Sequence, residues 1–402
     1  MAASLNMDEV RGAFPALKTD QIFLDNAGGS QTLGTVAEAI TDWLHTSNVQ
    51  LGATYAVGKA ATDKYKAGYA AAAKYVNAPV DEVVKQKVLG PSTTQLFRNL
   101  SYSLNFNPGD ELVVSAIDHE ANIAPWVDLA ARQQLTLKWW RPDSTVNPKL
   151  TAEGVGPLLS DRTRLVAFTH ASNILGTIHD VRGISKLVHA VVPQAIVVVD
   201  AVAYAPHRAV DVQALGCDVY AFSWYKVYGP HLSMLWAGRR AQAAMRSLGH
   251  FFNPSASLAD KLGLGSASYE LVPSLPAVVE YMKGKEEAIV AHEAKLQGLL
   301  LDYLKSRRGV VVHGETSSDP MLRVATVSFT VEGFDSQSFV EQVEKDSNLG
   351  FRWGSFYSNR LVEDFLGLGK TGVVRVGMVH YNTEEEIQIL IAAFDKFLCP
   401  RE

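Results

Sequence analysis

The feature that most constrains the fold is the regular alternation of β-rich runs with helical patterns between residues 83 and 238. The strand-like runs are VVKQKVLG (83–90), ELVVSAID (111–118), LTLKWW (135–140), TRLVAFTHAS (163–172), AIVVVDAVAY (195–204), VYAFSWYK (219–226) and LSMLWAG (232–238). The segments 93–104, 122–133 and 181–191 carry apolar residues at helical spacing. This alternation predicts an α/β fold with a mainly parallel, seven-stranded sheet covered on both faces.

A long helical pattern that starts near Ser274 separates this unit from a C-terminal α+β segment. We therefore predict three parts. An N-terminal arm at 1–20 packs with the small domain, a large domain spans 21–275, and a small domain at 276–402 begins with a long linking helix.

Composition excludes several classes of function. The net charge is -5 and there is no Lys/Arg run that could follow a phosphate backbone, so we expect no nucleic-acid partner. The N-terminus lacks the pattern of a secretory signal and no apolar stretch is long enough for a bilayer, so we expect a cytoplasmic protein without a membrane partner. The two cysteines, Cys217 and Cys399, are too few for a disulfide framework or a Cys-based metal site.

Two neighbouring strand-like runs end in charged residues, Asp200 and Lys226. Ligands of open α/β sheets lie outside the carboxyl ends of the strands, which makes both residues candidates for a site. Asp200 alone could equally be a helix cap or a turn residue. Together, a lysine and an acid that keeps a pyridine nitrogen protonated are the pair that pyridoxal 5'-phosphate (PLP) requires.

A candidate phosphate cradle precedes these two residues in the chain. Ser92, Thr93 and Thr94 follow a strand-like run and open a helix, where hydroxyls, backbone N–H groups and the helix dipole attract an anion. An ordinary N-cap explains that segment equally well. Ser223 adds a further hydroxyl three residues before Lys226.

Over nearly its whole length the chain resembles the class V, fold-type-I PLP enzymes, and within them the cysteine desulfurase and selenocysteine lyase group. The likeness lies in FLDNAGGS (23–30), STTQ (92–95), DHEANIAPW (118–126), THASNILGT (169–177), VVVDAVAYAPHRAVDVQALGCDVYAFSWYKVYGPH (197–231) and RVGMVHYNTEEE (375–386). The stretch around Lys226 is highly specific, whereas each of the others is weak alone.

The resemblance implies a role for each matching residue. Lys226 would carry PLP as a Schiff base, Asp200 would pair with the ring nitrogen, and His119 would stack on the ring. Asn173 would lie beside the phenolic oxygen, and Arg375 would bind the substrate carboxylate. The substrate would also contact Ala27, Gly28, Asn173 and Trp353. Ser266 would reach the phosphate of a second subunit, which implies a homodimer with shared sites. From the residues alone, His119 is also a polar helix-start residue and Arg375 an exposed charge.

Departures from the family pattern bear on the reaction. Desulfurases carry a nucleophilic cysteine on a loop that matches RWGSFYSNRL (352–361), and Tyr357 stands at or near that place. Since a persulfide requires a thiolate, we do not expect cysteine desulfurase activity by that route. Ala203 and Tyr225 replace the usual Gln and His, which indicates a roomier, more aromatic pocket with Trp353, Phe356 and Tyr357 as walls.

We expect an enzyme that acts on an amino acid through deprotonation or decarboxylation at Cα, with Lys226 as acid and base and His119 and Tyr357 as further catalytic candidates. GGSQTLG (28–34) and NVQLGATY (48–55) resemble family members from fungal alkaloid pathways that lack this cysteine, including a loline-pathway enzyme. That likeness implies lyase or Mannich-type C–C or C–N bond-forming chemistry in secondary metabolism. A C–S β-lyase, an aminotransferase and a non-catalytic PLP-binding protein remain alternatives.

Overall fold

The structure is a computed structural model that describes residues 5–79, 86–252, 257–263, 265 and 267–400. In chain order its strands are β1 (Ile22–Phe23), β2 (Lys87–Gly90), β3 (Glu111–Ser115), β4 (Thr136–Trp140), β5 (Thr163–Thr169), β6 (Ile196–Asp200), β7 (Val219–Ser223), β8 (Ser233–Ala237), β9 (Val310–His313), β10 (Thr326–Val331), β11 (Leu349–Gly350), β12 (Arg352–Gly354) and β13 (Val373–Gly377).

The α-helices are α1 (Met7–Gly12), α2 (Gly34–Thr46), α3 (Ala56–Tyr75), α4 (Thr93–Ser103), α5 (Ala124–Gln133), α6 (Ala152–Val155), α7 (Val181–Val191), α8 (Val212–Leu215), α9 (Arg239–Ala244), α10 (Leu258–Leu262), α11 (Leu275–Met282), α12 (Glu286–Lys305), α13 (Ser336–Lys345) and α14 (Glu384–Phe394). Short 3-10 turns cover Pro15–Lys18, Glu120–Asn122, Gly156–Leu158, Trp224–Lys226 and Val272–Ser274, and a π-helical turn covers Arg360–Phe365.

The predicted seven-stranded, mainly parallel sheet is confirmed. Its order is β2-β8-β7-β6-β5-β3-β4, and among the described strands of this sheet β8 runs opposite to the other six. The central strand β6 is buried at every residue, which suits its run of β-branched valines. Because the parallel strands end at one edge, the residues that follow β5, β6 and β7 come together there.

Helix α4 starts at the same edge. The Ser92 hydroxyl caps it by accepting a hydrogen bond from the Gln95 backbone N–H at 3.1 Å. Leu96, Phe97 and Leu100 then recur at helical spacing and are buried against the sheet. The cap and the apolar face together fix the amino end of α4 over the site.

A second, four-stranded antiparallel sheet has the order β12-β13-β10-β9, and β1 pairs with β11 in a short parallel ribbon. Helices α12 and α14 pack on each other beside it, around a separate apolar core that includes Leu296, Phe329 and Phe394. Leu24 belongs to this core, while Phe14 belongs to the core of the large sheet. The N-terminal segment therefore contacts both units, and the division at 275 and 276 stays a prediction.

The prediction of one long linking helix from Ser274 onward is wrong in one respect. The segment forms two helices, α11 and α12, separated at 283–285. Gly284 adopts a φ of +75°, a left-handed conformation that glycine tolerates and that ends a helix. Among the described residues, no helix combines the length and the apolar character needed to cross a membrane.

Candidate active site

A cleft opens at the carboxyl edge of the large sheet. It brings together eight of the residues singled out from the sequence: Ser92, Thr93, Thr94, His119, Asn173, Asp200, Ser223 and Lys226. Ala203 and Tyr225, which stand where the family has Gln and His, also line it. Ser266 lies outside the described residues, so its role stays a prediction.

Lys226 lies in the turn that directly follows β7, and only 8% of it is exposed. Burial is the main cause that lowers the pKa of its ammonium group to about 8, and the nearby charge of Arg375 acts in the same direction. Asp200 and Asp25 oppose this shift. Near pH 8 a large fraction of Lys226 is therefore a neutral amine, the form that attacks a carbonyl carbon.

Asp200 ends β6 and is 4% exposed. One carboxylate oxygen, Oδ1, accepts a hydrogen bond from the backbone N–H of Val202 at 2.9 Å. Burial raises the pKa of this carboxyl to about 6, while that hydrogen bond and Lys226 lower it. Above pH 6 Asp200 is mostly a buried anion that can pair with a cationic ring nitrogen.

Three hydroxyls form a chain where Thr93 and Ser223 line the cleft. Thr93 Oγ1 lies 2.8 Å from Ser223 Oγ, which lies 2.7 Å from Ser233 Oγ. This chain stands at the amino end of α4, where free backbone N–H groups and the helix dipole favour an anion. The sequence indicated Thr93 and Ser223. Ser233 was missed, because only the antiparallel pairing of β7 with β8 places it opposite Ser223.

His119 lines the cleft and also caps the turn that follows it. Its Nδ1 accepts a hydrogen bond from the Ala121 backbone N–H at 3.0 Å, which confirms the helix-start interpretation. The stacking of His119 on the cofactor ring stays a prediction, and His119 lines the cleft where that ring would lie. Burial, followed by the charges of Lys226 and Arg375, lowers the pKa of the imidazole to about 4. His119 is therefore neutral at physiological pH and presents an uncharged ring to the cleft.

A second buried carboxyl, Asp118, was not recognised from the sequence. Its Oδ2 accepts a hydrogen bond from Asn122 Nδ2 at 2.8 Å, and Asn122 Oδ1 accepts one from Trp126 Nε1 at 3.1 Å. Burial raises the pKa of Asp118 to about 8, and the charge of Asp200 adds to the shift. Asp118 is therefore protonated at neutral pH, whereas Asp200 is mostly ionised.

The predicted substrate arginine, Arg375, lies on β13 and is 2% exposed. One guanidinium nitrogen donates to Asp25 Oδ1 at 2.9 Å and another to the Asn173 carbonyl at 3.2 Å. The third nitrogen, Nε, is buried without a hydrogen-bond partner among the described residues. Asp25 belongs to the FLDN motif, and its contact with Arg375 could not be read from the motif because 350 residues separate the two.

A turn at 355–358 closes over this arginine. Phe356 and Tyr357 adopt φ values of +46° and +58°. For residues other than glycine this conformation costs roughly 1–2 kcal/mol each. Asn173 holds the turn, since its Nδ2 donates to the Phe356 carbonyl at 3.1 Å and its Oδ1 accepts from Ser358 Oγ at 3.0 Å. Both ends of the Asn173 amide, predicted to lie beside the cofactor's phenolic oxygen, are thus engaged by the turn.

The remaining predicted residues lie around the cleft rather than in its lining. Tyr357 is 75% exposed, and its ring centroid lies 5.3 Å from that of His119. Trp353 faces an outer hollow on the far side of the turn. Ala27 and Gly28 form a turn that packs against Gly377 at the end of β13. The catalytic role of Tyr357 and the contact of Trp353, Ala27 and Gly28 with a substrate stay predictions.

The residues present fit PLP by their chemistry. A hydroxyl chain at a helix amino end suits a phosphate, a buried carboxylate suits a protonated ring nitrogen, and a buried lysine of lowered pKa suits covalent attachment. No group of three or more metal-ligating side chains occurs in the part of the chain that the structure describes.

Comparison with known proteins agrees with this chemistry. The profile of the family described as aminotransferase class V matches residues 22–390. The aminotransferase-like protein FGM3 of Gibberella zeae is 53% identical, over 99% of this chain and 100% of that protein. The cysteine desulfurase-like protein ustD of Aspergillus flavus is 37% identical, over 98% and 91%. A nonribosomal peptide synthetase-like enzyme of Aspergillus fumigatus, fsqF, is 38% identical over 97% of this chain but only 26% of that enzyme.

Among solved structures, the cysteine desulfurase CsdA of Escherichia coli superposes with a TM-score of 0.85 at 25% identity and covers 98% of both chains. The apo cysteine desulfurase of Thermococcus onnurineus gives a TM-score of 0.87 at 23% identity over 99% of both chains, which shows a shared fold.

Proposed function

Because the chain belongs to the class V aminotransferase family and its cofactor is PLP, we propose that it breaks a bond at Cα of an amino acid and then eliminates a group or forms a C–C or C–N bond. The observation that carries this proposal is the buried Lys226 amine, which shares one cleft with the Asp200 carboxylate. Bound PLP supplies an electron sink for the electron pair that the broken bond leaves behind.

The chain's own residues supply binding, orientation and proton transfer. Thr93 and Ser223 would hold the phosphate, and Asp200 would hold a proton on the ring nitrogen. Lys226 Nζ would take a proton from Cα or return one to the substrate, which suits a group whose pKa lies near 8. The neutral ring of His119 would fix the cofactor plane without adding charge.

The position of the two cysteines argues against persulfide chemistry. Cys217 is buried in the core of the large sheet, where burial raises the pKa of its thiol, and Cys399 is exposed near the C-terminus. The turn at 355–358, which matches the place of the desulfurase nucleophile, presents Phe356 and Tyr357 instead. Sulfur transfer to an enzyme thiolate is therefore not part of the proposal.

A spectral titration tests the proposal. The purified holo-protein is titrated with amino acids, including γ-substituted and N-alkylated ones, while the visible absorbance is followed. We expect some members to produce a long-lived band at longer wavelength than that of the resting cofactor. Clean bleaching to the pyridoxamine form would identify an aminotransferase, and no response to any amine would identify a non-catalytic PLP-binding protein.

We also propose a homodimer with shared sites and a role in cytoplasmic secondary metabolism. A mainly apolar hollow of about 570 Å³ lies beside the phosphate cradle, lined by Tyr65, Tyr69, Leu89, Pro91 and Tyr269, and a second subunit could fill it. The similarity to a nonribosomal peptide synthetase-like enzyme supports the metabolic role. Light scattering on the holo-protein as it elutes from a size-exclusion column measures its molar mass. We expect the mass of a dimer, and the mass of a monomer would contradict the proposal.

A further inference from the structure

The ring of Phe356 lies over the guanidinium of Arg375. The Arg375 Cζ atom is 3.6 Å from the ring centroid, which is close contact for a cation and an aromatic face. Arg352 lies on the same ring at 5.5 Å and reaches Asp25 at 3.7 Å. Phe356 thus covers the group that would otherwise receive a carboxylate.

The edges of Arg375 leave little room for a further partner. Asp25 and the Asn173 carbonyl occupy two nitrogens, and only Nε is buried without a hydrogen-bond partner among the described residues. A planar carboxylate usually binds arginine along an edge with two hydrogen bonds. With two nitrogens occupied, Nε remains for a carboxylate, and the ring of Phe356 covers the face of the guanidinium beside it.

The turn is held by a few contacts that can be released. Asn173 binds it through two hydrogen bonds, and the Tyr357 carbonyl accepts one from the Glu120 N–H at 2.8 Å. The left-handed conformations of Phe356 and Tyr357 weaken the closed form. An outer hollow of about 500 Å³, lined by Trp353 and Phe356, offers space for the displaced ring.

We propose that Phe356 is a specificity-determining residue, a plug on Arg375 that a substrate carboxylate displaces. This inference rests on the proposed function, in which the substrate is an amino acid. An amine that carries a carboxylate replaces the cation–π contact with a charged pair and opens the turn. An amine without a carboxylate has no such replacement and leaves the turn closed.

The test uses the holo-protein with two small probes. Propionate carries a carboxylate without an amine, and ethylamine carries an amine without a carboxylate. Calorimetry gives the dissociation constant of propionate, cofactor absorbance gives that of ethylamine, and hydrogen–deuterium exchange of 352–361 reports the state of the turn. None of these measurements needs turnover, so a failure here is distinct from a failure of the proposed reaction.

In Phe356→Ala we expect propionate to bind about 10-fold more tightly, equivalent to about 1.4 kcal/mol, because the competing ring is gone. Ethylamine affinity should not change. Propionate should speed exchange of 352–361 in the wild type, whereas in Phe356→Ala exchange should be fast already. Phe356→Leu keeps apolar bulk without an aromatic face and should show a smaller gain.

Tyr102→Ala is the matched control, since Tyr102 also lies over an arginine, with Arg132 Cζ 4.1 Å from its ring centroid at the far end of α4. That variant should bind propionate as the wild type does. Unchanged or weaker propionate binding in both Phe356 variants would overturn the proposal. The proposal would also be overturned if ethylamine and propionate changed the hydrogen–deuterium exchange of 352–361 in the wild type to the same extent.

Discussion

Replacing Asp118 with asparagine should remove a large part of the pH dependence of stability. The Asp118 side chain is 1% exposed, and its Oδ2 accepts a hydrogen bond from Asn122 Nδ2 at 2.8 Å. Burial raises the pKa of its carboxyl from 3.8 to about 8. An asparagine keeps the shape and the acceptor for Asn122 but never ionises.

The sign and size follow from proton binding. The native group keeps its proton up to about pH 8, whereas the unfolded group loses it near 3.8, so the native state binds more protons between these values. The free energy of unfolding therefore falls as pH rises through this window, by about 1.4 kcal/mol per unit. Between pH 5 and pH 8, the titration of Asp118 alone lowers the free energy of unfolding of the wild type by about 4 kcal/mol.

Urea unfolding of the holo-protein at pH 5 and pH 8 measures the effect. We expect the stability of Asp118→Asn relative to the wild type to rise by several kcal/mol between the two pH values. Asp128→Asn is the control, because Asp128 is a partly exposed carboxylate paired with Arg132 on α5. Its stability relative to the wild type should change by only a few tenths of a kcal/mol between the two pH values. Equal pH dependence in the wild type and Asp118→Asn would refute the account of Asp118.

Three further predictions concern the cofactor cleft. The rate at which apo-protein forms a borohydride-reducible link with PLP should rise with pH and level off above about pH 8, because burial lowers the pKa of Lys226 to about 8. A rate profile whose midpoint lies near pH 10.5 would contradict this effect of burial on Lys226. Lys226→Ala should lose that link, while Lys138→Ala, whose lysine pairs with Glu111, should keep it. Ser223→Ala should weaken PLP binding about 10-fold in an absorbance titration, because it interrupts the hydroxyl chain, whereas Ser103→Ala, a buried serine at the far end of α4, should not.

Features encoded within one segment could be predicted from the sequence. Asp200 and Lys226 each end an apolar strand, and their position at the sheet edge follows from strand parallelism. Contacts between distant segments could not be predicted, because periodicity carries no information about them. Asn173 meets the turn 183 residues later at Phe356, and only the folded chain places that ring on Arg375.

The division of the linking helix shows a different limit. Lys283, Gly284 and Lys285 fit the exposed face of a continuous helix, and one glycine inside a helical pattern costs only about 1 kcal/mol. The helix is divided because its two parts pack against different units. Helix α11 lies on α3 of the large unit, whereas α12 packs with α14 and β9 of the small unit. The chain has to change direction between them, and the left-handed Gly284 provides the change.

Product analysis distinguishes bond breaking at Cα, followed by elimination or bond formation, from transamination. Holo-protein is incubated with the amino acids that change its spectrum, with and without an aldehyde acceptor, and mass spectrometry identifies the products and the final form of the cofactor. We expect an eliminated or carbon-extended product, PLP recovered unchanged, and no product with Lys226→Ala. A keto acid formed together with an equal amount of pyridoxamine phosphate would contradict it.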